Sequence, residues 1–238
     1  MAEIAYLGSE LEVFAHAQNW KRYVRSQIGQ YLTGTVLEVG AGIGSNALPY
    51  VGGPHEEWVC LEPDPALAAR ISNNPALRTC KLIVGTVADL PYTERFDAIL
   101  YMDVLEHIED DAAELRESAR RLRPGGRLMV LAPAHQWLYT PFDRAIGHYR
   151  RYNAAMLRNI TPPDMTLERL RYLDAAGICA SLGNRLLLSS ASPTVRQIQT
   201  WDRLLVPVSE RLDLLLGYKI GKSVMAVWRR SGYDLGAP

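Results

Sequence analysis

The 238-residue chain has few cysteines, no net charge and no apolar run long enough to span a bilayer. Its three cysteines, Cys60, Cys80 and Cys179, lie in or beside apolar segments and lack the CxxC spacing of metal or redox sites. We therefore expect buried free thiols in a reducing compartment rather than disulfides or zinc ligands. No signal sequence is recognisable, so we expect a cytoplasmic protein that is not integral to a membrane.

The charge balance also narrows the choice of partner. Lys and Arg together number 26 and so do Asp and Glu, which leaves no net positive field to attract a polyanion. This balance argues against nucleic acid as a partner. An apolar content of 48%, with no visible linker, repeat or low-complexity tract, predicts a single domain over residues 1–238 with a full core.

The most informative segment is residues 36–45, an apolar run that breaks into three alternating glycines. Its apolar half is typical of a buried parallel strand. Its glycines, Gly40, Gly42 and Gly44, lack a Cβ where the chain turns sharply, so a ligand can approach the backbone. Such glycine patterns also occur in ordinary loops, and the surrounding pattern has to decide between the two interpretations.

That surrounding pattern is an alternation of strands and helices. Further strands are predicted at residues 58–62, 81–85 and 96–103, and a helix capped by Asp64 begins at Pro65. Such alternation predicts a parallel sheet with helices on both faces and with ligands beyond the carboxyl ends of its strands. Four chemically suited residues fall at those ends: Gly40, Glu62, Thr86 and Asp103.

Five segments resemble, in order and spacing, the motifs of the class I S-adenosylmethionine (SAM) dependent methyltransferases. They are residues 37–44, 61–64, 85–91, 103–108 and 122–128. The resemblance covers residues 35–133 well and the remainder loosely. It implies a Rossmann-like, doubly wound α/β fold with a seven-stranded, mostly parallel sheet. The last strand of that sheet is expected to be antiparallel, and its candidate is the segment from Ser223 to Arg230.

The same resemblance implies SAM as cofactor. The backbone around Gly42 would receive the methionine arm, Glu38 would act near its ammonium directly or through water, and Glu62 would accept hydrogen bonds from both ribose hydroxyls. The full set of expected cofactor-binding residues is Glu38, Gly40, Ala41, Gly42, Gly44, Glu62, Pro63, Thr86, Val87 and Asp103.

Thr86 is a departure from the family pattern, which commonly has an acid there to receive the adenine amino group. Either the Thr86 hydroxyl accepts that hydrogen bond more weakly, or the Val87 amide reads the adenine ring alone.

The loop after the fifth strand, residues 134–165, is the predicted acceptor loop because it is rich in His, Tyr and Arg. His148 is the leading candidate for a general base, with Tyr149 and Arg151 beside it. In the alternative interpretation, His148 and Arg151 pair with Asp143 and hold the loop together.

His107 is a second candidate base, although a positioning role is favoured, because Leu-Glu-His occurs in family members of differing chemistry. A metal site built from Glu106, His107 and Asp110 is disfavoured, because three ligands within five residues rarely converge, and no metal is expected.

Two further segments have open roles. Residues 1–33 read as a helical flap that either packs against the sheet or covers the cofactor. Residues 175–220 read as a helical insertion that could roof the acceptor pocket, form a homodimer face or rest on a membrane. Roof and dimer are favoured, because basic residues do not dominate the polar face.

The sequence therefore predicts a SAM-dependent methyltransferase acting on an oxygen or nitrogen of a small-molecule acceptor, such as a sugar, a glycolipid-like compound or a secondary metabolite. An NAD(P)-dependent oxidoreductase is a weaker alternative, because its motif needs glycine or alanine where Ser45 stands, and it leaves residues 122–128 unexplained. A SAM-binding regulatory subunit without transfer activity is a third interpretation that the sequence leaves open.

Overall fold

The computed structural model describes residues 10–179, 181 and 193–232, and its centre is a seven-stranded sheet of order β3-β2-β1-β4-β5-β7-β6. The strands are β1 Gly34–Val39, β2 His55–Glu62, β3 Lys81–Val84, β4 Phe96–Met102, β5 Leu122–Pro133, β6 Met165–Leu173 and β7 Ser223–Arg230. The pairs from β3 to β5 are parallel, and β7 is antiparallel to both neighbours. The predicted Rossmann-like α/β fold, with its antiparallel last strand, is confirmed.

Eight labelled helices flank this sheet in the described part of the chain. They are α1 Glu10–Phe14, α2 Gln18–Ile28, α3 Pro65–Ser72, α4 Asp111–Arg120, α5 Pro141–Ala145, α6 Ala154–Asn159, α7 Val195–Thr200 and α8 Val206–Leu215. Residues 175–179 are also helical, and a π-helical segment, Trp201–Leu205, joins α7 to α8. The helix expected after the glycine turn is only a short 3-10 turn, Leu48–Tyr50.

Both faces of the sheet are buried, which explains the nearly continuous apolar strands. Successive residues of a strand point to opposite faces. Val36 packs in one core cluster with Met129 and Met225, whereas Leu37 packs in the other with Ile99. Since burial covers both faces, only the edges of the sheet remain to carry a site.

The N-terminal segment, expected to be one helix, breaks between α1 and α2. The first residue before α2, Ala17, has no side-chain acceptor for the free N–H groups. The missing acceptor is the buried carboxylate of Asp202, from the C-terminal part of the chain. It accepts hydrogen bonds from Asn19 N at 3.1 Å and from Trp20 N at 2.8 Å. The break is therefore stabilised by a contact across more than 180 residues.

A second buried carboxylate fixes the C-terminal helices to the sheet. Asp213 accepts hydrogen bonds from Tyr23 Oη at 2.7 Å and from the backbone N–H groups of Asp174 and Ala175 at 2.7 and 2.9 Å. The described part of the predicted insertion thus packs beside α2 over the carboxyl edge of the sheet. Residues 182–192 of that insertion lie outside the described residues.

The cysteines are free, as expected, but their burial differs. Cys60 is buried and Cys80 partly buried, whereas Cys179 is exposed, so the expectation of three buried thiols was wrong for the last. In the described ranges, no helix combines the length and the apolar character that crossing a membrane requires.

Candidate active site

A cavity of about 890 Å³ opens at the carboxyl edge of the sheet. One end is lined by the turn after β1 and by the end of β2, and the other by residues 104–108 and 142–149. Most of the predicted site residues line it: Gly40, Ala41, Gly42, Glu62, Pro63, Thr86, Val87, Asp103, His107, His148, Tyr149 and Arg151. Glu38 and Gly44 are not among the lining residues.

The glycine turn owes its shape to backbone angles that L-residues rarely adopt. Gly40 and Gly42 have φ values of 65° and 58°. A Cβ on Gly40 would come within 2.8 Å of the Val104 methyl groups. Gly44 has a different role, because a Cβ there would collide with the Leu77 side chain on the far side of the turn. Gly44 therefore permits close packing against Leu77 behind the turn, whereas Gly40 permits it against Val104 on the cavity wall.

Glu62 joins the two turns at this end of the cavity. Its buried carboxylate accepts hydrogen bonds from Gly42 N at 2.6 Å and from Asp64 N at 2.9 Å. Burial raises the pKa of Glu62, and these two N–H groups partly offset that rise. Each oxygen has accepted one hydrogen bond and retains a lone pair, so the carboxylate can still accept from a vicinal diol.

Glu38 lies beneath the cavity and not in it. It is 1% exposed, and its Oε2 accepts a hydrogen bond from Trp58 Nε1 at 2.9 Å. Burial raises the pKa of Glu38 to about 8. Its neighbour Lys21 does line the cavity, and burial lowers the pKa of that ammonium to about 8.

Thr86 forms a capping box with Asp89. Its hydroxyl donates to Asp89 Oδ2 at 2.7 Å, and its backbone N–H donates to the same oxygen at 2.8 Å. The hydroxyl proton is therefore committed to Asp89, whereas the hydroxyl oxygen of this cavity-lining residue can still accept a hydrogen bond. The Asp89 carboxylate therefore stabilises this turn and does not line the cavity.

Asp143 organises the opposite end of the cavity. Its buried carboxylate accepts from Arg151 Nε and Nη2, both at 2.9 Å, and lies 3.0 Å from His148 Nδ1. Burial alone would raise the pKa of Asp143, but the hydrogen bonds from His148 and Arg151 hold it well below its ordinary range. Since an ionised carboxylate only accepts, the His148 Nδ1 atom carries a proton and donates it to Asp143.

The pairing of His148 and Arg151 with Asp143 is what the structural alternative expected. The same geometry also leaves His148 on the cavity wall, so the two interpretations coexist. Tyr149 is 52% exposed, lines the cavity and is tied to the site by its backbone N–H, which donates to Glu106 O at 2.8 Å.

His107 and Glu106 complete this end. The ring of His107 meets that of His148 edge to face, with centroids 4.5 Å apart, and burial lowers the pKa of His107 to about 4. His107 is therefore neutral near pH 7. Glu106 is fully buried, and neither of its carboxylate oxygens has a hydrogen-bond partner among the residues that the structure describes.

Several lining residues were missed or left undecided by the sequence reasoning. Trp20 belongs to the N-terminal segment whose role was left open, and it lines the cavity, whereas Tyr23 in the same segment is not a lining residue and donates a hydrogen bond to Asp213. Glu10 also lines the cavity, and no feature of the sequence indicated this position. Lys222 also lines it, and a signal existed: because β7 is antiparallel, the residue before it must lie at the carboxyl edge of the other strands.

The sheet order, the glycine turn after β1 and the acid that ends β2 agree with the fold that the resemblance to class I SAM-dependent methyltransferases implied. Residues 37–130 match the family profile described as methyltransferase domain. Over these residues, the match confirms the resemblance first seen in the motifs.

Named relatives agree with this assignment. Demethylmenaquinone methyltransferase of Tropheryma whipplei is 30% identical over 157 residues, which cover 63% of this chain and 62% of that protein. The ubiquinone biosynthesis O-methyltransferase of Xanthomonas oryzae is 34% identical over 99 residues, which cover 40% of this chain and 41% of that protein. The matched stretches thus span less than two thirds of these relatives.

Solved structures share the fold. The N-methyltransferase NodS from Bradyrhizobium japonicum, determined in complex with S-adenosyl-L-homocysteine, superposes with a TM-score of 0.55 at 14% identity. The alignment covers 88% of this chain and 84% of that one. At this identity the likeness establishes the fold, and the chemistry has to be argued from the site.

The buried Glu38 generates a pH prediction. Its folded pKa of about 8 exceeds the unfolded value of about 4.3, so its contribution to stability is full below the unfolded pKa and is lost as pH rises to 8. Glu38→Gln keeps an acceptor for Trp58 and removes the titration. The stability advantage of the variant over the wild type should grow from pH 5.5 to pH 8.5 in urea unfolding. A pH-independent difference would mean that Glu38 is ionised when folded, held by Lys21.

Proposed function

We propose that this protein transfers the sulfonium methyl group of SAM to a hydroxyl oxygen of a small, largely apolar acceptor. One observation carries the proposal: a single cavity runs from the glycine turn and Glu62 to the imidazoles of His107 and His148. Each end is held by a buried carboxylate that accepts hydrogen bonds, Glu62 at the first end and Asp143 at the second. A binding protein without transfer activity has no need for the second end.

The residues at the first end suit SAM. The positive φ angles of Gly40 and Gly42 leave backbone without Cβ atoms against the cavity, and Glu62 retains two acceptor positions. When bound, SAM supplies an electrophilic methyl group on a positively charged sulfur. Lys21 and Lys222 also line the cavity, and their charges favour an anionic group, such as the carboxylate of an amino-acid moiety or an ionised acceptor oxygen.

The second end suits an aromatic or otherwise apolar acceptor. The wall of the cavity is rich in aromatic and branched apolar side chains, namely Phe14, Trp20, Phe142, Ile146, Ile198 and Trp201. Aromatic walls favour flat apolar ligands. The names of the two relatives point the same way, one to demethylmenaquinone and the other to O-methylation in ubiquinone biosynthesis. A hydroxylated aromatic ring is therefore the acceptor class we propose, ahead of a sugar.

Transfer requires alignment and the loss of one proton. The walls hold the acceptor oxygen in line with the methyl group, which is the larger part of the catalysis. The hydroxyl proton leaves at the cluster around His148, which lines the cavity and whose Nδ1–H is held by Asp143, so that Nε2 would take the proton. Asp143, itself held by Arg151, would stabilise the imidazolium.

Cofactor binding is tested by two substitutions. Loss of a charge-assisted hydrogen bond typically costs about 1.5–3 kcal/mol and loss of a neutral one about 0.5–1.5 kcal/mol. Glu62→Ala should therefore weaken SAM binding by calorimetry more than Thr86→Ala does, with thermal melting as the check on folding. Equal losses would show that the ribose or the adenine lies elsewhere.

Transfer is tested with deuterium-labelled SAM and a panel of hydroquinones, catechols and sugars, followed by mass spectrometry. Labelled methyl on an aromatic oxygen supports the proposal. His148→Asn keeps a donor for Asp143 but removes Nε2, so it should lose about two to four orders of magnitude in rate with unchanged SAM affinity. His16→Asn, at an exposed site, is the matched control. Undiminished turnover in His148→Asn would give His148 a purely structural role.

A further inference from the structure

We propose that Glu106, His107 and His148 bind one divalent first-row transition-metal ion, with Zn²⁺ as the representative, at the acceptor end of the cavity. One ligand atom from each of the three side chains lies within 4.8 Å of the other two. The His148 Nε2 and Glu106 Oε1 atoms are 3.8 Å apart. Two atoms that each lie about 2.1 Å from a metal ion are at most about 4.2 Å apart, so this pair already fits.

Glu106 gives the independent reason to expect a cation. It is 0% exposed, and within the described ranges neither carboxylate oxygen has a hydrogen-bond partner. Burying a carboxylate without hydrogen-bond partners costs free energy unless a positive charge compensates it. The nearest guanidinium, that of Arg151, already makes two hydrogen bonds to Asp143. Burial and the negative charge of Asp103 raise the pKa of Glu106 well above its ordinary value, which reflects the same lack of compensation.

Both imidazoles are oriented as metal-binding histidines are. His148 Nδ1 is bonded to the Asp143 carboxylate, and the His107 ring is bonded to the backbone of Ile146. A hydrogen bond on one ring nitrogen fixes the tautomer and turns the other nitrogen toward the ion. Other charged groups around the cluster are Asp103, Arg151, Glu10 and Lys222.

The donor set selects the kind of ion. Two imidazoles and one carboxylate suit Zn²⁺, Mn²⁺, Fe²⁺ or Co²⁺, whereas Mg²⁺ and Ca²⁺ prefer oxygen ligands throughout. Three protein ligands leave a coordination position open toward the cavity, which is the arrangement of catalytic and not structural metal sites. The sequence expectation of no metal considered Asp110 as the third ligand, but Asp110 caps α4 through Ala113 N. The third ligand comes instead from the loop after β5.

The role of the ion rests on the proposed function and refines its proton step. An acceptor hydroxyl bound at the open position would ionise more readily, with its proton released to solvent. The oxygen lone pair then forms the C–O bond, the S–CH₃ bond breaks, and its electron pair stays on sulfur as a neutral thioether. His148 would act as a ligand to the ion and would not itself take the proton.

Metal binding is tested directly on the purified full chain. After removal of metal with EDTA, the wild type and the control His16→Asn should each bind one Zn²⁺ by calorimetry and elemental analysis, and Zn²⁺ should raise their melting temperatures. Glu106→Gln and His148→Asn should lose this binding. Asp143→Asn, which changes the hydrogen bond that holds His148 but removes none of the three ligands, should weaken it about 10- to 100-fold, with the melting temperature as the check on the contacts to Arg151.

The outcomes separate this proposal from the proposed function. No Zn²⁺ binding by the wild type, or equal binding by Glu106→Gln, overturns the metal site. Zn²⁺ binding without methyl transfer to any acceptor leaves the metal site standing and overturns the proposed function. Full transfer activity in the metal-free protein overturns the catalytic role of the ion and returns the proton step to His148. Glu106→Gln removes a buried charge and should fold, with His148→Asn as the second test.

Discussion

The carboxylate of Glu62 holds the first half of the site together. Its hydrogen bonds to Gly42 N and Asp64 N connect the turn after β1 with the start of α3, two loops that the parallel sheet brings to one edge. Gly42 can offer its N–H only because it adopts a positive φ, and Asp64 offers its own while capping α3. Without this carboxylate the glycine turn would lose its hydrogen-bonded connection to the start of α3 at the edge of the cavity.

A second carboxylate, Asp143, fixes the position of neighbouring residues at the acceptor end of the cavity. It holds Arg151 and His148 in fixed positions, and its charge is compensated by both. Glu106 differs, because it is buried in the described structure without such compensation. The contrast between a fully paired and an unpaired buried acid, separated by one imidazole, is the physical basis for assigning an ion to this end of the cavity.

Sequence reasoning succeeded where local chemistry determines structure. The apolar strands, the cap at Asp64 and the glycine turn follow from neighbouring residues, and the family motifs extended them to a complete sheet. It failed where the structure depends on residues that are distant in the sequence. The break before α2 depends on Asp202, the unusual burial of Glu38 depends on Trp58, and the packing role of Gly44 depends on Leu77. None of these partners can be identified from spacing along the chain.

The acceptor end shows the same limit. His148 and Asp143 were recognised as neighbours because they are five residues apart, but Glu106 reaches them only through the fold.

The central claim is that the glycine-turn end of the cavity holds SAM, and the most direct test is calorimetric titration of the wild type with SAM and with NAD. We expect one SAM per chain, no binding of NAD, and loss of SAM binding in folded Gly42→Val. Tight binding of NAD, or unchanged SAM affinity in Gly42→Val, would contradict the account.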